Sequence, residues 1–194
     1  MKVLKFGGTS VGSVESILTV KKIVEAVDEP VVVVVSALGG VTDMLLSTAE
    51  KASEGDIAYE KDFSDIISRH LNVINGILTD KGKRNEVQRQ VMSLLDELGN
   101  IFKGVYLIND LSSKTSDTIV SYGERLSSLI VSNVIDGAML YDSRKFIKTY
   151  RQFNKHIVDF NLTNKLIKEA FEPMPQIALV PGFISSSGEN GEVT

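Results

Sequence analysis

The chain has no cysteine, no tryptophan and only two histidines in 194 residues. Without cysteine there are no disulfides and no thiolate metal ligands, a composition that suits a cytoplasmic protein. The histidines, His70 and His156, lie far apart, the first on the apolar face of a helical pattern and the second in an irregular stretch. Neither joins acidic neighbours at metal-ligand spacing, so no protein metal site is expected. No apolar run has bilayer length; the longest, Val31 to Val35, is that of a buried strand. Met1 to Phe6 is too short for a signal peptide and runs directly into a glycine turn. Positive charge is not in excess either, with 21 Lys and Arg against 25 Asp and Glu and a net charge of -4. With no basic stripe or tail, nucleic acid and membrane surfaces are not expected partners, and any anion site must be local. Internal repeats and low-complexity segments are absent.

What remains is the composition of an ordinary globular protein, 43% hydrophobic and 24% charged, enough for one domain or one lobe of a larger one. Four short, continuously apolar segments predict strands of a buried, mostly parallel sheet: Val3 to Phe6, Val31 to Ser36, Ala138 to Tyr141 and Ile177 to Val180. Helical spacing fills the intervals. Val14 to Val27 predicts one helix, Phe63 to Leu78 and Val87 to Phe102 an antiparallel pair with Asp80 to Asn85 as its turn, and Thr118 to Ile135 another. The expected class is α/β, an open, mainly parallel sheet with helices on both faces. Tyr150 to Thr163 has weak periodicity and reads as a partly irregular connection. Pro181 to Thr194, rich in Gly and Ser, reads as a hairpin cut after its turn, as in a fragment of a longer chain.

In open α/β sheets, ligands bind beyond the carboxyl ends of the strands. Each predicted strand here is followed by small and polar residues. Lys5-Phe6-Gly7-Gly8-Thr9-Ser10 follows the first, Ser36-Ala37-Leu38-Gly39-Gly40-Val41-Thr42-Asp43 the second, Asp142-Ser143-Arg144-Lys145 the third and Pro181-Gly182-Phe183-Ile184-Ser185 the fourth. Lys5, Gly7, Gly8, Thr9 and Ser10 combine a cation, close backbone approach and free amides, which suits a phosphate. A tight turn with Thr9 or Ser10 as a helix cap explains the same residues. The lysine precedes the glycines, so this is not a P-loop, and the third glycine of a dinucleotide fingerprint is missing. Thr42 or Asp43 could equally cap a helix beginning near Met44. In Ser121 to Ser128, helical spacing puts Ser121, Glu124 and Ser128 on one face, and Gly123 costs about 1 kcal/mol relative to alanine unless close approach favours it. Glu124 could hold a substrate ammonium group or pair with a surface cation.

These residues resemble the aspartate kinases of the amino acid kinase superfamily. The resemblance rests on Lys5 to Val11, Ser36-Ala37 followed by Val41-Thr42-Asp43, Ser121 to Ser127, and Gly182-Phe183-Ile184, four signatures in the family order. It spans the whole chain and implies the N-terminal, substrate-binding lobe of an amino acid kinase domain (residues 1-194), truncated before the nucleotide-binding lobe and inactive or nearly so alone. The reaction implied is ATP-dependent phosphorylation of the L-aspartate side-chain carboxylate, the first step toward lysine, threonine and methionine, with Mg2+ accompanying ATP in the complete enzyme. Lys5 is then the catalytic cation, and Gly7, Gly8, Thr9 and Ser10 help to hold the phosphates. Ser36, Thr42, Glu124 and Phe183 line the aspartate pocket. The full-length protein is expected to be a homo-oligomer. Phe146 to Phe160 is more similar to versions fused to homoserine dehydrogenase. Glutamate 5-kinase or N-acetylglutamate kinase chemistry is the nearest alternative, and an amino-acid-binding module without turnover is the non-enzymatic one.

Overall fold

The computed structural model describes residues 1-194 except Asn154 and Glu189, which lie outside the described residues. The main sheet has strands β1 (Lys2–Phe6), β2 (Val31–Val35), β3 (Ala138–Leu140) and β6 (Ile177–Pro181), in the order β1-β2-β6-β3 and all parallel. The four strand expectations are met to within a residue at most ends. Only β6 is buried throughout, however, and β2 is buried at alternate residues. β1 and β3 are edges, with Val3, Met139 and Leu140 largely exposed, because no strand lies beyond them in the sheet.

Helices α1 (Val14–Glu25), α2 (Val41–Ser53), α3 (Tyr59–Ile77), α4 (Lys81–Ile108) and α5 (Ser113–Val134) share one core with the sheet. Period-2 alternation decides which strand residues join it: Val31, Val33 and Val35 are fully buried, whereas Val32 and Val34 face the other side. There α6 (Phe160–Ala170) lies across part of the sheet, leaving an apolar groove lined by Val3, Val32, Val34, Val180, Ile167 and Phe171. The expected antiparallel pair is α3 and α4. Its turn is shorter than Asp80 to Asn85, because Asp80 accepts from the Lys83 N–H at 2.7 Å and caps α4 at once.

Two stretches differ from expectation. Tyr150 to Thr163 is not irregular: β4 (Lys148–Gln152) and β5 (Lys155–Val158) pair antiparallel, and α6 begins at Phe160, capped by Asp159. Most residues of both strands are exposed, so no apolar alternation marked them. The C-terminal hairpin also has a returning arm after its turn. Ser185 and Thr194 exchange both backbone bonds, at 2.9 and 3.0 Å, and β7 (Ser186–Ser187) adds to β4 in parallel, giving a second sheet of order β5-β4-β7. The returning arm needs Gly191 at φ 72°, a conformation cheap only for glycine.

His70 sits on the apolar face of α3, with 0% exposure. Its Nδ1–H donates to the Ile66 carbonyl at 2.8 Å, while Nε2 is buried with no partner among the described residues. Burial disfavours the charged ring and pushes its pKa down to about 4 from 6.5; the helical carbonyl opposes this more weakly, and Arg69 adds to it. The unfolded state therefore binds an extra proton between these values. Stability should be fully present above about pH 6.5 and fall as the pH drops toward about 4, by at most about 3 kcal/mol. Urea midpoints of wild type and His70→Leu at pH 7 and pH 5 check this: the variant should show the smaller acid loss.

Candidate active site

Because the main sheet is wholly parallel, the loops after β1, β2, β3 and β6 all leave from one rim. The loop after β1 is a single 3-10 turn, Gly8 to Val11, and not the start of α1. Ser13 caps α1, accepting from the Ser16 N–H at 3.1 Å while the Ser16 hydroxyl accepts from the Ser13 N–H at 2.9 Å. Thr9 and Ser10 are thus not its caps, and the turn does not receive the α1 dipole directly. The first bond of the turn runs from the Ser10 N–H to the Gly7 carbonyl at 2.9 Å, so helical geometry offers the Gly8 and Thr9 amides no partner. Lys5 is exposed, and its Nζ lies 3.4 Å from where a β-carbon on Gly7 would stand, folded back over the turn.

The loop after β2 packs directly against this turn. A β-carbon on Gly8 would meet the Ala37 carbonyl oxygen at 3.1 Å, one on Gly12 the Gly8 carbonyl oxygen at 3.0 Å, and one on Gly39 the same oxygen at 3.1 Å. Backbone meets backbone here, which leaves little room for side chains. Arg69 of α3 donates to the Gly12 carbonyl at 2.5 Å from the far side. Ser36 leaves β2 half-buried, its N–H bonded to the Phe6 carbonyl at 3.1 Å. α2 then starts at Val41, not near Met44. Its N-cap is Gly40 at φ 82° with no side-chain cap, so neither Thr42 nor Asp43 caps it. Thr42, half-buried, stands in the first turn of this helix, whose uncapped amides and positive dipole end favour an anion; Asp43 beside it is exposed and opposes one.

Glu124 links α5 to this rim. It is 4% exposed, and its Oε1 accepts from the Ala37 N–H at 3.2 Å. Its Oε2 is buried with no partner, and no ion pair involves it among the described residues, which removes the surface-pair reading. Burial pushes the carboxyl pKa up; the hydrogen bond from Ala37 opposes this. Gly123 makes the approach possible. A β-carbon there would stand 2.8 Å from the Ala37 side chain, so the expected cost of a mid-helix glycine has a packing cause.

The other two loops are tied down differently. After β6, the Gly182 N–H donates to the Val35 carbonyl at 2.8 Å and the Ser143 hydroxyl to the Ile184 carbonyl at 2.8 Å. Between these anchors Phe183 holds a positive φ of 61° with 94% of its surface exposed, so its ring is not brought to Glu124. After β3, Asp142 accepts from Arg144 Nε at 2.9 Å and Nη2 at 2.7 Å, so these two charges satisfy each other within the loop. Arg144 and the nearby Arg125 hold the Asp142 carboxyl below the usual range despite the opposing and largest influence, burial. The structure thus brings together the Lys5 to Ser10 turn, Ser36, the start of α2 and Glu124, and leaves the Phe183 ring apart. The Ala37 amide, Gly12 and Arg69 were not singled out from sequence. A backbone donor carries no side-chain signature, but a glycine at each of positions 8, 12 and 39 is a cue to close packing.

Residues 1-193 match the amino acid kinase family. The chain belongs to that family. Among characterised relatives, aspartokinase 1, chloroplastic, of Arabidopsis thaliana is 28% identical over 99% of this chain and 35% of its own length. The bifunctional aspartokinase/homoserine dehydrogenase of Buchnera aphidicola is 24% identical over 96% of this chain and 24% of its own. Escherichia coli aspartokinase III, solved in complex with lysine and aspartate, superposes with a TM-score of 0.86 at 25% identity, covering all of this chain and 43% of that one. This amino acid kinase chain therefore spans less than half the length of these relatives. Among the described residues no helix is long and apolar enough to cross a membrane, and no three His, Asp or Glu residues are grouped to hold a metal ion.

The Gly123 contact can be tested alone. Gly123→Ala should destabilise by about 1–2 kcal/mol, since overpacking outweighs the gain in helix propensity. Adding Ala37→Gly should recover part of that loss, because it removes the group struck. Urea denaturation of the two single variants and the double variant measures the coupling.

Proposed function

We propose that this chain is the acceptor-binding lobe of an aspartokinase, which transfers the γ-phosphoryl of ATP to the side-chain carboxylate of L-aspartate and gives 4-phospho-L-aspartate for lysine, threonine and methionine synthesis. The observation that carries this reading is Glu124: a carboxylate nearly closed off from water, with one oxygen on the Ala37 amide and the other without a partner. A buried carboxylate left half-satisfied is costly, and an ammonium group of the substrate is the complement that would stabilise it. The relatives named aspartokinase support aspartate as the bearer of that group. N-acetylglutamate is disfavoured on the same ground, since its acylated nitrogen carries no charge to pair with Glu124. Glutamate remains the competing acceptor.

In this reading Ser36 and Thr42 offer hydroxyls, and Phe183 the backbone of its anchored loop, to the rest of the amino acid. Lys5 would oppose the negative charge of the transferring phosphoryl group, with the Gly7, Gly8 and Thr9 amides and the Ser10 hydroxyl around it. Phosphoryl transfer needs chiefly positioning and electrostatic stabilisation, so a lysine and directed amides are adequate equipment. Mg2+ would arrive on the phosphates of ATP, as magnesium is commonly held by substrate oxygens and few carboxylates.

Calorimetric titration of the chain with L-aspartate, L-glutamate and N-acetyl-L-glutamate tests the acceptor. Aspartate should bind best, and a preference for either alternative overturns the assignment. Turnover is measured as aspartyl hydroxamate, with the chain replacing the matching segment of a full-length aspartokinase. There Glu124→Gln should raise the aspartate KM about 10- to 150-fold, from the loss of about 1.5–3 kcal/mol. Lys5→Ala should instead lower kcat about 100-fold or more, and the reverse pattern would exchange the two roles.

A further inference from the structure

One turn along α5 from Glu124, toward the edge strand β3, lies a separate cleft of about 240 Å³ that includes none of the acceptor-site residues. Leu94 of α4, Leu129 of α5 and Leu140 of β3 give it apolar surface, while Arg125, Arg144 and Lys145 bring three cations to it. These cations are unequally occupied. Arg144 is held by Asp142 through two short bonds. Lys145 is exposed and has no ion-pair partner among the described residues. Arg125 is the unusual one. Its side chain is only 17% exposed and its guanidinium lies 4.2 Å from the centroid of the Tyr122 ring, yet its carboxylate partner, Glu97, is 3.4 Å away. That carboxylate is 55% exposed and also accepts from the Tyr122 hydroxyl at 3.1 Å. A guanidinium offers five donors in a planar fork, and charge-assisted bonds normally close to about 2.7–2.9 Å. The fork of Arg125 is therefore poorly filled where it borders the cleft.

We infer that this cleft is a second ligand site, for a small organic carboxylate whose anionic group engages Arg125 and Lys145 and whose apolar body lies against Leu94, Leu129 and Leu140. The planar fork matches a carboxylate in bidentate fashion, and Lys145 adds a point charge with freely turning donors. Leucine surface beside the cations favours an organic anion over a mineral one, because burying it against a fully hydrated ion gains nothing. The volume lies below the roughly 300–1,000 Å³ typical of sites for drug-sized ligands, so the occupant is small. Its position on α5 puts a bound ligand on the helix that also carries Glu124. The assignment does not rest on the aspartokinase reading.

The test is an NMR titration of the isotopically labelled chain with benzoate as the apolar carboxylate and, separately, with inorganic phosphate. Benzoate should give saturable shifts at Arg125, Ser128, Leu129 and Tyr141 to Lys145, with a Kd of about 1–10 mM, and phosphate should bind more weakly. Arg125→Gln should weaken benzoate at least about tenfold with the remaining spectrum unchanged, and Lys145→Gln, which breaks no ion pair, about threefold. Absence of saturation, shifts centred on Gly7 to Ser10 or Gly40 to Asp43, an Arg125→Gln variant that binds as well as wild type, or phosphate equal to benzoate would each overturn the inference. Aspartate binding is measured in a different titration, so either assignment can fail while the other stands.

Discussion

A glutamate carboxylate held out of water is the interaction on which the rim of this protein turns. Glu124 reaches the Ala37 amide from helix α5, and in doing so fastens the loop after β2 to a helix that belongs to the core. Burying a charge in this way is unfavourable unless its oxygens are matched. One oxygen is matched by backbone and the other is not. The helix carrying Glu124 must also come unusually close to the loop. Gly123 permits that, because any β-carbon there would overlap the Ala37 side chain.

The same loop is fastened on its other side by absence of side chains. Gly8, Gly12 and Gly39 let the turn after β1 and the loop after β2 meet backbone to backbone, with Arg69 holding the Gly12 carbonyl. Lys5, the free amides of the 3-10 turn, the uncapped start of α2 and Glu124 are consequently parts of one assembly. Displacing the loop after β2 would disturb the groups proposed for phosphoryl and for acceptor together. The cleft that begins one turn further along α5 shares the same supporting helix. It differs in chemistry, since it is organised by arginines over leucine surface and not by backbone amides around a carboxylate.

Much of the fold was readable from local pattern. Five consecutive valines or an Ile-Ala-Leu-Val run fit strands of a buried parallel sheet, and those two strands stand where expected, at its centre. Long helices with a wide apolar stripe, such as α3 and α4, were equally plain. What escaped was structure stabilised by pairing instead of burial. β4 and β5 are exposed on most residues, and β7 has only two, so their hydrogen bonds leave no trace in hydrophobic periodicity. The start of α2 was misjudged because backbone geometry at Gly40 replaced a side-chain cap, whereas α1 begins at Val14 as expected and only its cap was misplaced, a 3-10 turn coming before the true cap at Ser13.

The sequence by itself determined the α/β class, the succession of the main-sheet strands and the long helices between them, and which residues are candidates for a phosphate and an amino acid, because periodicity, glycines and charged groups are local properties of the chain. Tertiary structure alone decided whether those residues meet. Parallel strand order puts their loops on one rim, close packing at three glycines lets two of the loops touch, and burial turns Glu124 from an ordinary surface acid into a half-satisfied carboxylate. The Phe183 ring shows the opposite outcome. Singled out with the same motifs, it is held in solvent by anchors on both sides of its loop, since ring direction depends on a backbone dihedral that no sequence pattern displays.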